Sequence, residues 1–272
     1  MIRVENLHKH FGGFHAVDGA SLHIAEGSIT GLIGPNGAGK TTLFNVIAGV
    51  LKPTSGRVTM AGEDITGLEP HELFHKGLLR TFQIAHEFHS MTVRENLMMV
   101  PARQAGESLM SAWFQRRRVR LEDEEIRRRA NEVLEFLTID HIADQKAGQI
   151  SGGQKKLLEL GRTMMVDAKV VLLDEVGAGV NRTLLGEIGD AIVRLNRERG
   201  YTFCMIEHDM DFIGRLCDPV IVMAEGAVLA EGTAEEVKNN EAVIEAYLGR
   251  GLKNKTPQEM AALAADNGEA GN

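Results

Sequence analysis

The chain has 272 residues and a formal net charge of −8, with 43% hydrophobic and 25% charged residues. This length allows a large core and about two domains. No stretch approaches the ~18 consecutive apolar residues of a membrane span, and the acidic balance argues against broad binding to nucleic acid. The N-terminus has no basic segment followed by an apolar one, so we expect no secretory signal and a cytoplasmic location. Cys204 and Cys217 lie in apolar surroundings and are expected to be buried free thiols.

The first segments of the chain are strand-like. Residues 20–24 alternate between apolar and more polar side chains, and Glu26-Gly27 offers a hairpin turn before the apolar run 29–33. The pattern predicts a small antiparallel sheet that leans on this apolar strand. Phe11 stands at a chain bend, where an aromatic side chain is more often part of the core than a ligand contact.

A glycine-rich loop follows the strand 29–33 and precedes the helical pattern of residues 43–49. It matches G-x-x-x-x-G-K-[ST] at every fixed position, and the order strand, loop, helix lets backbone amides and a helix N-terminus surround a phosphate. Lys40 supplies a point charge for the β and γ phosphates, and the Thr41 hydroxyl suits Mg²⁺. The full match disfavours the alternative, a glycine-rich turn that happens to contain a lysine. The sequence therefore predicts nucleoside triphosphate binding by Gly34, Pro35, Asn36, Gly37, Ala38, Gly39, Lys40, Thr41 and Thr42.

Residues 85–165 differ in composition from the rest of the chain. They are rich in Met, Leu, Arg and Glu with helical periodicity, which predicts a helical insertion between two halves of an α/β unit. The predicted organisation is a core of residues 1–84 and 166–250, this insertion, and a flexible tail over residues 251–272.

The most charged part of the insertion is arginine-rich. Acids at 123–125 precede arginines at 127–129 by four positions, which favours a self-paired, solvated helix over a nucleic-acid or lipid-binding patch. Trp113-Phe114 beside the arginines keeps a membrane-surface alternative open.

Two further segments carry groups that suit phosphate and metal chemistry. Ser151 begins S-G-G-Q as a predicted helix N-cap, and the bare backbone of that first helical turn is an anion site. Taken alone, the run is also compatible with a capped helix and nothing more. The apolar run 170–173 ends in Asp174-Glu175 and predicts a buried parallel strand that presents two carboxylates where open α/β sheets bind ligands.

These segments occur in one order, together with Gln83 after R-T-F and His208 after a further apolar run. The set resembles the ATP-binding subunits of ABC transporters over residues 2–250. The resemblance implies an α/β fold, a P-loop NTPase (RecA-like) core with an N-terminal antiparallel β subdomain and an inserted α-helical subdomain. The extended insertion, the run T-V-R-E-N-L at 92–97 and the ending A-Y-L-G are similar to those of importers for branched-chain and other hydrophobic amino acids.

The resemblance assigns roles to individual residues. Asp174 is expected to hold Mg²⁺ through water, in a shell completed by Thr41, Gln83 and phosphate oxygens. Glu175 is expected to orient and deprotonate the attacking water, and His208 to position water and the γ phosphate. Without this context Glu175 is a surface acid and His208 a structural histidine. A second carboxylate at the end of a buried strand, however, is costly without a purpose.

The resemblance also implies that one chain does not complete the site. In the family, the helix that begins at S-G-G-Q caps the γ phosphate of a facing subunit, so that a head-to-tail pair encloses two ATP molecules. The expected ligands are ATP and Mg²⁺, and the expected partners are a second ATPase subunit (a copy or a relative), integral membrane permeases and, indirectly, a substrate-binding protein. Nucleic acid is not expected, and the chain would lie peripherally on the cytoplasmic side of the membrane. The capping residues are Ser151, Gly152, Gly153 and Gln154.

The resemblance also implies which residues contact the adenine base. Phe11 becomes the expected adenine-stacking aromatic, with Val17 packed nearby.

Some positions depart from the family pattern. Ile150 replaces a leucine before S-G-G-Q, and Val176 stands where many members have proline. Asn181 takes the place of the acid that usually ends the following loop, which crosses the subunit interface in the family.

Alternatives to an importer subunit stay open. One is an ABC ATPase without a membrane partner, although the single cassette and the lack of sustained heptads disfavour it. Another is the ATPase of a lipid or lipopolysaccharide exporter. A small-molecule kinase built on the same loop would leave S-G-G-Q unexplained. The cargo is not encoded in this chain, because specificity lies in partner proteins.

Overall fold

The computed structural model describes residues 1–81, 87–102, 104, 113–166 and 168–253. The strands of this part of the chain are β1 (Ile2–Phe11), β2 (Phe14–Ile24), β3 (Ile29–Ile33), β4 (Ser55–Met60), β5 (Glu63–Asp64), β6 (Leu78–Arg80), β7 (Val170–Asp174), β8 (Thr202–Ile206), β9 (Val220–Ala224) and β10 (Ala227–Gly232). They form an antiparallel sheet of order β2-β1-β4-β5 and a mostly parallel sheet of order β10-β9-β3-β8-β7-β6. An antiparallel sheet beside an α/β core is the predicted fold class.

In the six-stranded sheet a helix follows each of β3, β7 and β8, and three α-helices of the described residues lie between β6 and β7. The helices are α1 (Lys40–Ile47), α2 (Pro70–Lys76), α3 (Val93–Met98), α4 (Arg116–Phe136), α5 (Gly152–Met164), α6 (Arg182–Arg199), α7 (Met210–Leu216), α8 (Ala234–Lys238) and α9 (Glu241–Lys253). Of the helices in the described ranges, none has the length and apolar content that crossing a membrane requires. Helices α3, α4 and α5 lie in the predicted insertion, whose exact boundaries stay a prediction.

The predicted hairpin between residues 20–24 and 29–33 is wrong. β2 pairs antiparallel with β1, whereas β3 lies in the other sheet, parallel to β8 and β9. The reason is burial, because all five residues of β3 are buried while the second half of β2 alternates between buried and exposed positions. A strand covered on both faces belongs in a parallel sheet. The turn at Glu26-Gly27 therefore carries the chain from one sheet to the other.

The six-stranded sheet separates two hydrophobic cores. Along β7, Val171 and Leu173 pack with helices α5 and α6, whereas Val170 and Leu172 belong to the core formed with α1 and the antiparallel sheet. Successive side chains of a strand point to opposite faces, so five consecutive buried residues need cover on both sides. This arrangement fixes the C-terminal ends of β3 and β7, and the polar residues of interest follow those ends.

The arginine-rich helix α4 pairs its charges within the helix, as predicted, but with different partners. Arg128 hydrogen-bonds both Glu125 and Glu132. Arg129 instead donates to the backbone carbonyl of Met164 at 3.0 Å. Arg128 thus pairs with Glu125, three positions earlier, where Glu124 was expected. Arg129 attaches α4 to the end of α5.

The predictions for the two cysteines are confirmed. Cys204 and Cys217 are free and buried. Burial raises the pKa of the Cys217 thiol to about 12 and raises that of Cys204 as well. Both thiols therefore stay protonated at neutral pH and act as small apolar side chains.

Candidate active site

The glycine-rich loop between β3 and α1 is held against two strands. Gly34 has φ 146°, and a Cβ there would lie 2.1 Å from the carbonyl oxygen of Met223 in β9. Gly39 has φ 97°, and a Cβ there would lie 2.3 Å from the carbonyl oxygen of Ala16 in β2. Each position combines positive φ with a contact too close for a side chain, so both require glycine. These contacts fix the loop between the two sheets.

Lys40 is the first residue of helix α1, and its side chain turns back over the loop. Its Nζ donates to the carbonyl oxygens of Gly34 at 2.7 Å and Pro35 at 3.1 Å. The side chain is buried, so its charge is concentrated at the loop and not shared with solvent. Thr41, the next residue, is exposed. The predicted lysine and hydroxyl therefore both stand at the N-terminus of the helix.

A cleft of about 160 Å³ opens beside this loop. Its walls are residues 36–42, Glu175 and His208. The structure therefore brings together three segments that are far apart in the sequence, as predicted. The cleft combines a helix N-terminus, a lysine, a carboxylate and an imidazole, which is a suitable set of groups for chemistry on a phosphate.

Glu175 follows β7 in a backbone conformation that is uncommon for a residue with a side chain. Its φ is 50°, and its amide donates to the carbonyl oxygen of Ile206 at 2.9 Å. Positive φ at a residue other than glycine costs roughly 1–3 kcal/mol and is often found at functional sites. Nε2 of His208 lies 3.1 Å from Oε1 of Glu175. The turn thus aims the carboxylate at the imidazole.

Glu207, beside His208, is a residue whose role the sequence did not indicate. Its carboxylate accepts hydrogen bonds from the amides of Gly177 at 2.7 Å and His208 at 3.3 Å. Burial raises the pKa of Glu207, these two hydrogen bonds oppose the rise, and the nearby charge of Glu175 adds to it. Glu207 thereby ties the segment after Glu175 to the end of β8. Glu207 follows the buried strand β8 just as Glu175 follows β7, and this position in the sequence could have identified it.

Asp174 ends β7 and forms a buried ion pair. Its Oδ2 lies 2.7 Å from a guanidinium nitrogen of Arg80 in β6, and the two side chains are 7% and 10% exposed. Arg80 also donates to Oδ1 of Asn45 in α1. The arginine therefore orients the carboxylate expected to bind the metal and joins it to the loop helix. The sequence showed Arg80 only as a neighbour of Gln83, which lies outside the described residues.

The S-G-G-Q segment is a capped helix start, as predicted. The Ser151 hydroxyl accepts from the amide of Gln154 at 3.3 Å, and the Gln154 side chain accepts from the amide of Ser151 at 2.9 Å. A Cβ on Gly153 would lie 1.8 Å from Leu184 of α6, and one on Gly152 would lie 4.0 Å from the carbonyl oxygen of Gly179. These residues therefore adjoin the 177–181 loop of their own chain and, within the described residues, do not line the cleft.

The two residues expected at the adenine base differ in exposure. Phe11 ends β1 at the tip of a hairpin and is 48% exposed, so the interpretation as a core residue is wrong. The Nζ of Lys9 lies 5.0 Å from the centroid of its ring. Val17 is 0% exposed and belongs to the core behind the hairpin. It presents no surface to a ligand, because its side chain is fully buried in this core. The stacking role of Phe11 stays a prediction.

Tyr247 of helix α9 adds a contact to the loop that the sequence did not predict. Partial burial raises the pKa of its hydroxyl, and the nearby backbone amide of Gly34 opposes the rise. The C-terminal helix thus brings a tyrosine hydroxyl near the first residue of the phosphate loop. Tyr247 belongs to the A-Y-L-G run, which the sequence analysis linked to the family resemblance but not to the phosphate loop.

Comparison with known proteins agrees with this geometry. Residues 17–178 match the ABC transporter family, and residues 227–253 match the branched-chain amino acid ATP-binding cassette transporter family. A probable branched-chain amino acid transport ATP-binding protein LivG of Methanocaldococcus jannaschii is 42% identical over 253 residues, which cover 92% of this chain and 97% of the relative.

Solved structures show the same fold. The crystal structure of the ADP conformation of an ATP-binding cassette of an ABC transporter is 40% identical, with a TM-score of 0.78, and the match covers 92% of this chain and 98% of that one. A dimeric bacterial ABC transporter cassette is 26% identical with a TM-score of 0.69, over 86% and 99% of the two chains. The chain therefore belongs to the ABC transporter family, as an ATP-hydrolysing subunit whose C-terminal segment is that of the branched-chain amino acid cassettes.

Proposed function

We propose that this chain powers an importer of branched-chain or other hydrophobic amino acids by hydrolysing ATP in a head-to-tail pair of ATPase subunits. The observation that carries the proposal is the cleft in which the phosphate loop faces Glu175 and His208. A site that holds phosphates beside a carboxylate and an imidazole suits the attack of water on a terminal phosphate. The family match of residues 227–253 and the name of the archaeal relative support the cargo class.

Oxygen donors near the cleft fit a magnesium ion. The Thr41 hydroxyl stands at the loop and the Asp174 carboxylate is at the C-terminal end of β7, and both are the hard ligands that Mg²⁺ prefers. We infer that Thr41, Gln83 and, through water, Asp174 hold it. When bound, Mg²⁺ neutralises charge on the β and γ phosphates. Arg80 serves this site by fixing the orientation of the Asp174 carboxylate.

Three side chains of the cleft would carry out hydrolysis. Glu175 accepts the proton of the attacking water, a general-base role that contributes about 10²–10⁴-fold. His208 holds the Glu175 carboxylate in place from 3.1 Å and contacts the γ phosphate from the same side. Lys40 places its charge where negative charge develops on the phosphate, after exchanging the carbonyls of Gly34 and Pro35 for phosphate oxygens.

Two chains would complete each site. Ser151 and Gly152 are exposed at the N-terminus of α5, where the backbone amides and helix dipole favour an anion. They lie beside their own 177–181 loop and not at their own cleft. We infer that residues 151–154 cap the γ phosphate of ATP bound to a facing subunit, either a copy or a related ATPase. ADP lacks that phosphate, so hydrolysis releases the pair.

The partners of the pair would be integral membrane permeases, with a substrate-binding protein acting on them from the other side. The chain would then lie peripherally at the cytoplasmic face of the membrane.

An ABC ATPase outside transport, or one that serves a lipid exporter, is the alternative, and the C-terminal family match favours the importer. The organisation into a core of residues 1–84 and 166–250 with an insertion of residues 85–165 remains part of this proposal.

The decisive experiment is purification of the intact complex from membranes, followed by leucine uptake in proteoliposomes containing the complex and its binding protein. We expect permeases to co-purify and uptake to require ATP on the side of this chain. Ser151→Arg should spare ATP binding to the isolated chain and abolish hydrolysis. Recovery with ribosomes or DNA, or lipid transfer without leucine uptake, would overturn the proposed role. Full hydrolysis by the Ser151→Arg variant would overturn the two-chain site.

A further inference from the structure

Four polar side chains that do not line the phosphate cleft cluster on one face of the β1–β2 hairpin. His8 and His10 alternate along β1, and the residues opposite them on β2 are Asp18 and His15. His8 and His10 are two apart on β1 and share a face, and a register shift between Lys9 and His10 places His15, three residues before Asp18, beside them. The hairpin therefore presents three imidazoles and one carboxylate together.

The distances within this cluster are short. Nδ1 of His8 lies 2.9 Å from Oδ1 of Asp18, and Nδ1 of His15 lies 3.6 Å from Oδ2 of the same carboxylate. The rings of His10 and His15 stack with centroids 3.8 Å apart. One ligand atom each from His8, His10 and Asp18 lies within 4.8 Å of the others. The carboxylate is thus shared by the histidines around it.

His10 distinguishes this cluster from an ordinary hydrogen-bonded network. Its Nε2 atom is buried and has no hydrogen-bond partner within the described residues. A buried nitrogen without a partner costs about 1–3 kcal/mol and calls for an explanation. A bound cation close to this nitrogen supplies the missing interaction, because a neutral imidazole nitrogen is a metal ligand.

We propose that His8, His10 and Asp18 form a binding site for a divalent transition metal of the zinc class. Two imidazole nitrogens and a carboxylate oxygen suit zinc, whereas Mg²⁺ prefers oxygen ligands, so this site is chemically distinct from the phosphate cleft. Tetrahedral ligands at about 2.0–2.1 Å from zinc stand about 3.4 Å apart. The three ligand atoms, now within 4.8 Å of one another, would have to approach to that spacing when the metal binds.

The remaining histidine supports the site from outside. His15 stacks on the ring of His10 and approaches the second oxygen of Asp18, so it orients two of the three ligands. Partners of this kind are the usual surroundings of zinc ligands and affect metal affinity. The fourth position of a three-ligand site is left for water.

A metal at this place would join β1 to β2 next to the phosphate loop. The amide of Asp18 donates to Gly226 at 2.8 Å, and the carbonyl oxygen of Ala16 packs against Gly39. The exposed ring of Phe11 directly follows His10. Binding would therefore stiffen the hairpin that borders the loop, and we expect it to raise the thermal unfolding temperature.

The test is calorimetric titration of Zn²⁺ into the full chain, without nucleotide and without a histidine tag. We expect one Zn²⁺ per chain and at least tenfold weaker binding in His10→Ala and in Asp18→Asn. His71→Ala, which removes an exposed histidine from α2, is the matched control and should bind like wild type. Equal affinity in wild type and His10→Ala, or equal losses in all three variants, would overturn the site.

A spectroscopic measurement keeps the test decisive if a variant is unstable. Cu²⁺ bound to the wild-type chain should show electron paramagnetic resonance coupling to two imidazole nitrogens. In each of the single variants His8→Ala and His10→Ala, the spectrum should show coupling to one imidazole nitrogen. A spectrum unchanged by either substitution would place the metal elsewhere and refute the proposal. The outcome does not depend on the ATPase function, because neither measurement uses nucleotide.

Discussion

Replacing Glu175 by glutamine tests the chemistry of the cleft with the least structural change. The amide keeps the size of the side chain and its contact with His208, which lies 3.1 Å away. The substitution also leaves the cost of the positive φ of 50° unchanged, since glutamine and glutamate have side chains of similar shape. What the variant loses is the ability to accept a proton from water.

The size of the expected effect follows from that loss. A positioned general base contributes about 10²–10⁴-fold, and each tenfold corresponds to about 1.36 kcal/mol of barrier. Glu175→Gln should therefore raise the barrier to hydrolysis by about 2.7–5.4 kcal/mol. Nucleotide affinity should stay near the wild-type value, because residues 36–42 supply the other walls of the cleft.

Phosphate release measures the turnover, a fluorescent nucleotide measures the affinity, and gel filtration with ATP detects a stalled pair. Glu225→Gln is the matched control, since Glu225 also has positive φ (49°) but is exposed in the β9–β10 turn. The control should hydrolyse ATP like wild type. A Glu175→Gln turnover within threefold of wild type would exclude Glu175 as the base.

Three further substitutions test contacts around the cleft. Arg80→Ala leaves the buried Asp174 carboxylate without its ion-pair partner and should destabilise the chain by about 3–5 kcal/mol in urea unfolding, with partial recovery in the double variant that adds Asp174→Asn. A loss below 1 kcal/mol would contradict the importance of the pair. Glu207→Gln should flatten the dependence of unfolding temperature on pH. Burial raises the pKa of this acid in the folded state. Its contribution to folding stability is therefore fully present below the unfolded-state pKa and is lost as pH rises from there through the folded-state pKa. Parallel pH profiles would refute this. Tyr247→Phe removes the hydroxyl that lies near the Gly34 amide and should weaken nucleotide binding by about 2–10-fold, the size of one hydrogen bond; unchanged affinity would show that the C-terminal helix does not support the loop.

The local features of the site were predictable because each depends on neighbours in the sequence. The phosphate loop is a contiguous pattern that can be recognised by itself, although the backbone that requires Gly34 and Gly39 lies in β9 and β2. The cap of Ser151 needs only the residue three positions later. The strand that delivers Asp174 and Glu175 was visible as an apolar run followed by acids. The resemblance then placed His208 in the same site, and the structure puts it 3.1 Å from Glu175.

Features that depend on distant parts of the chain were not predictable in the same way. The alternation of residues 20–24 identifies a strand but not its sheet, and the wrong hairpin followed from taking the nearest strand as its partner. Arg80 and Asp174 are 94 positions apart, and nothing local marks them as a pair. The burial of Val17 likewise depends on which face of β2 turns inward, which only the assembled sheet decides.

The segment 177–181 connects the two halves of the proposed mechanism within one chain. At its start Gly177 is bound to Glu207 beside the cleft, and at its end Asn181 caps α6 through the amide of Leu184 at 3.0 Å. Leu184 in turn packs against Gly153 of the S-G-G-Q helix. The amide of Val180 donates to the carbonyl oxygen of Gly177 at 3.1 Å, so a turn hydrogen bond within the segment connects its two ends. In a head-to-tail pair that helix would serve the partner's ATP. Asn181 performs the capping without the charge that an acid would bring to the interface, so each site would influence the other through packing and hydrogen bonds.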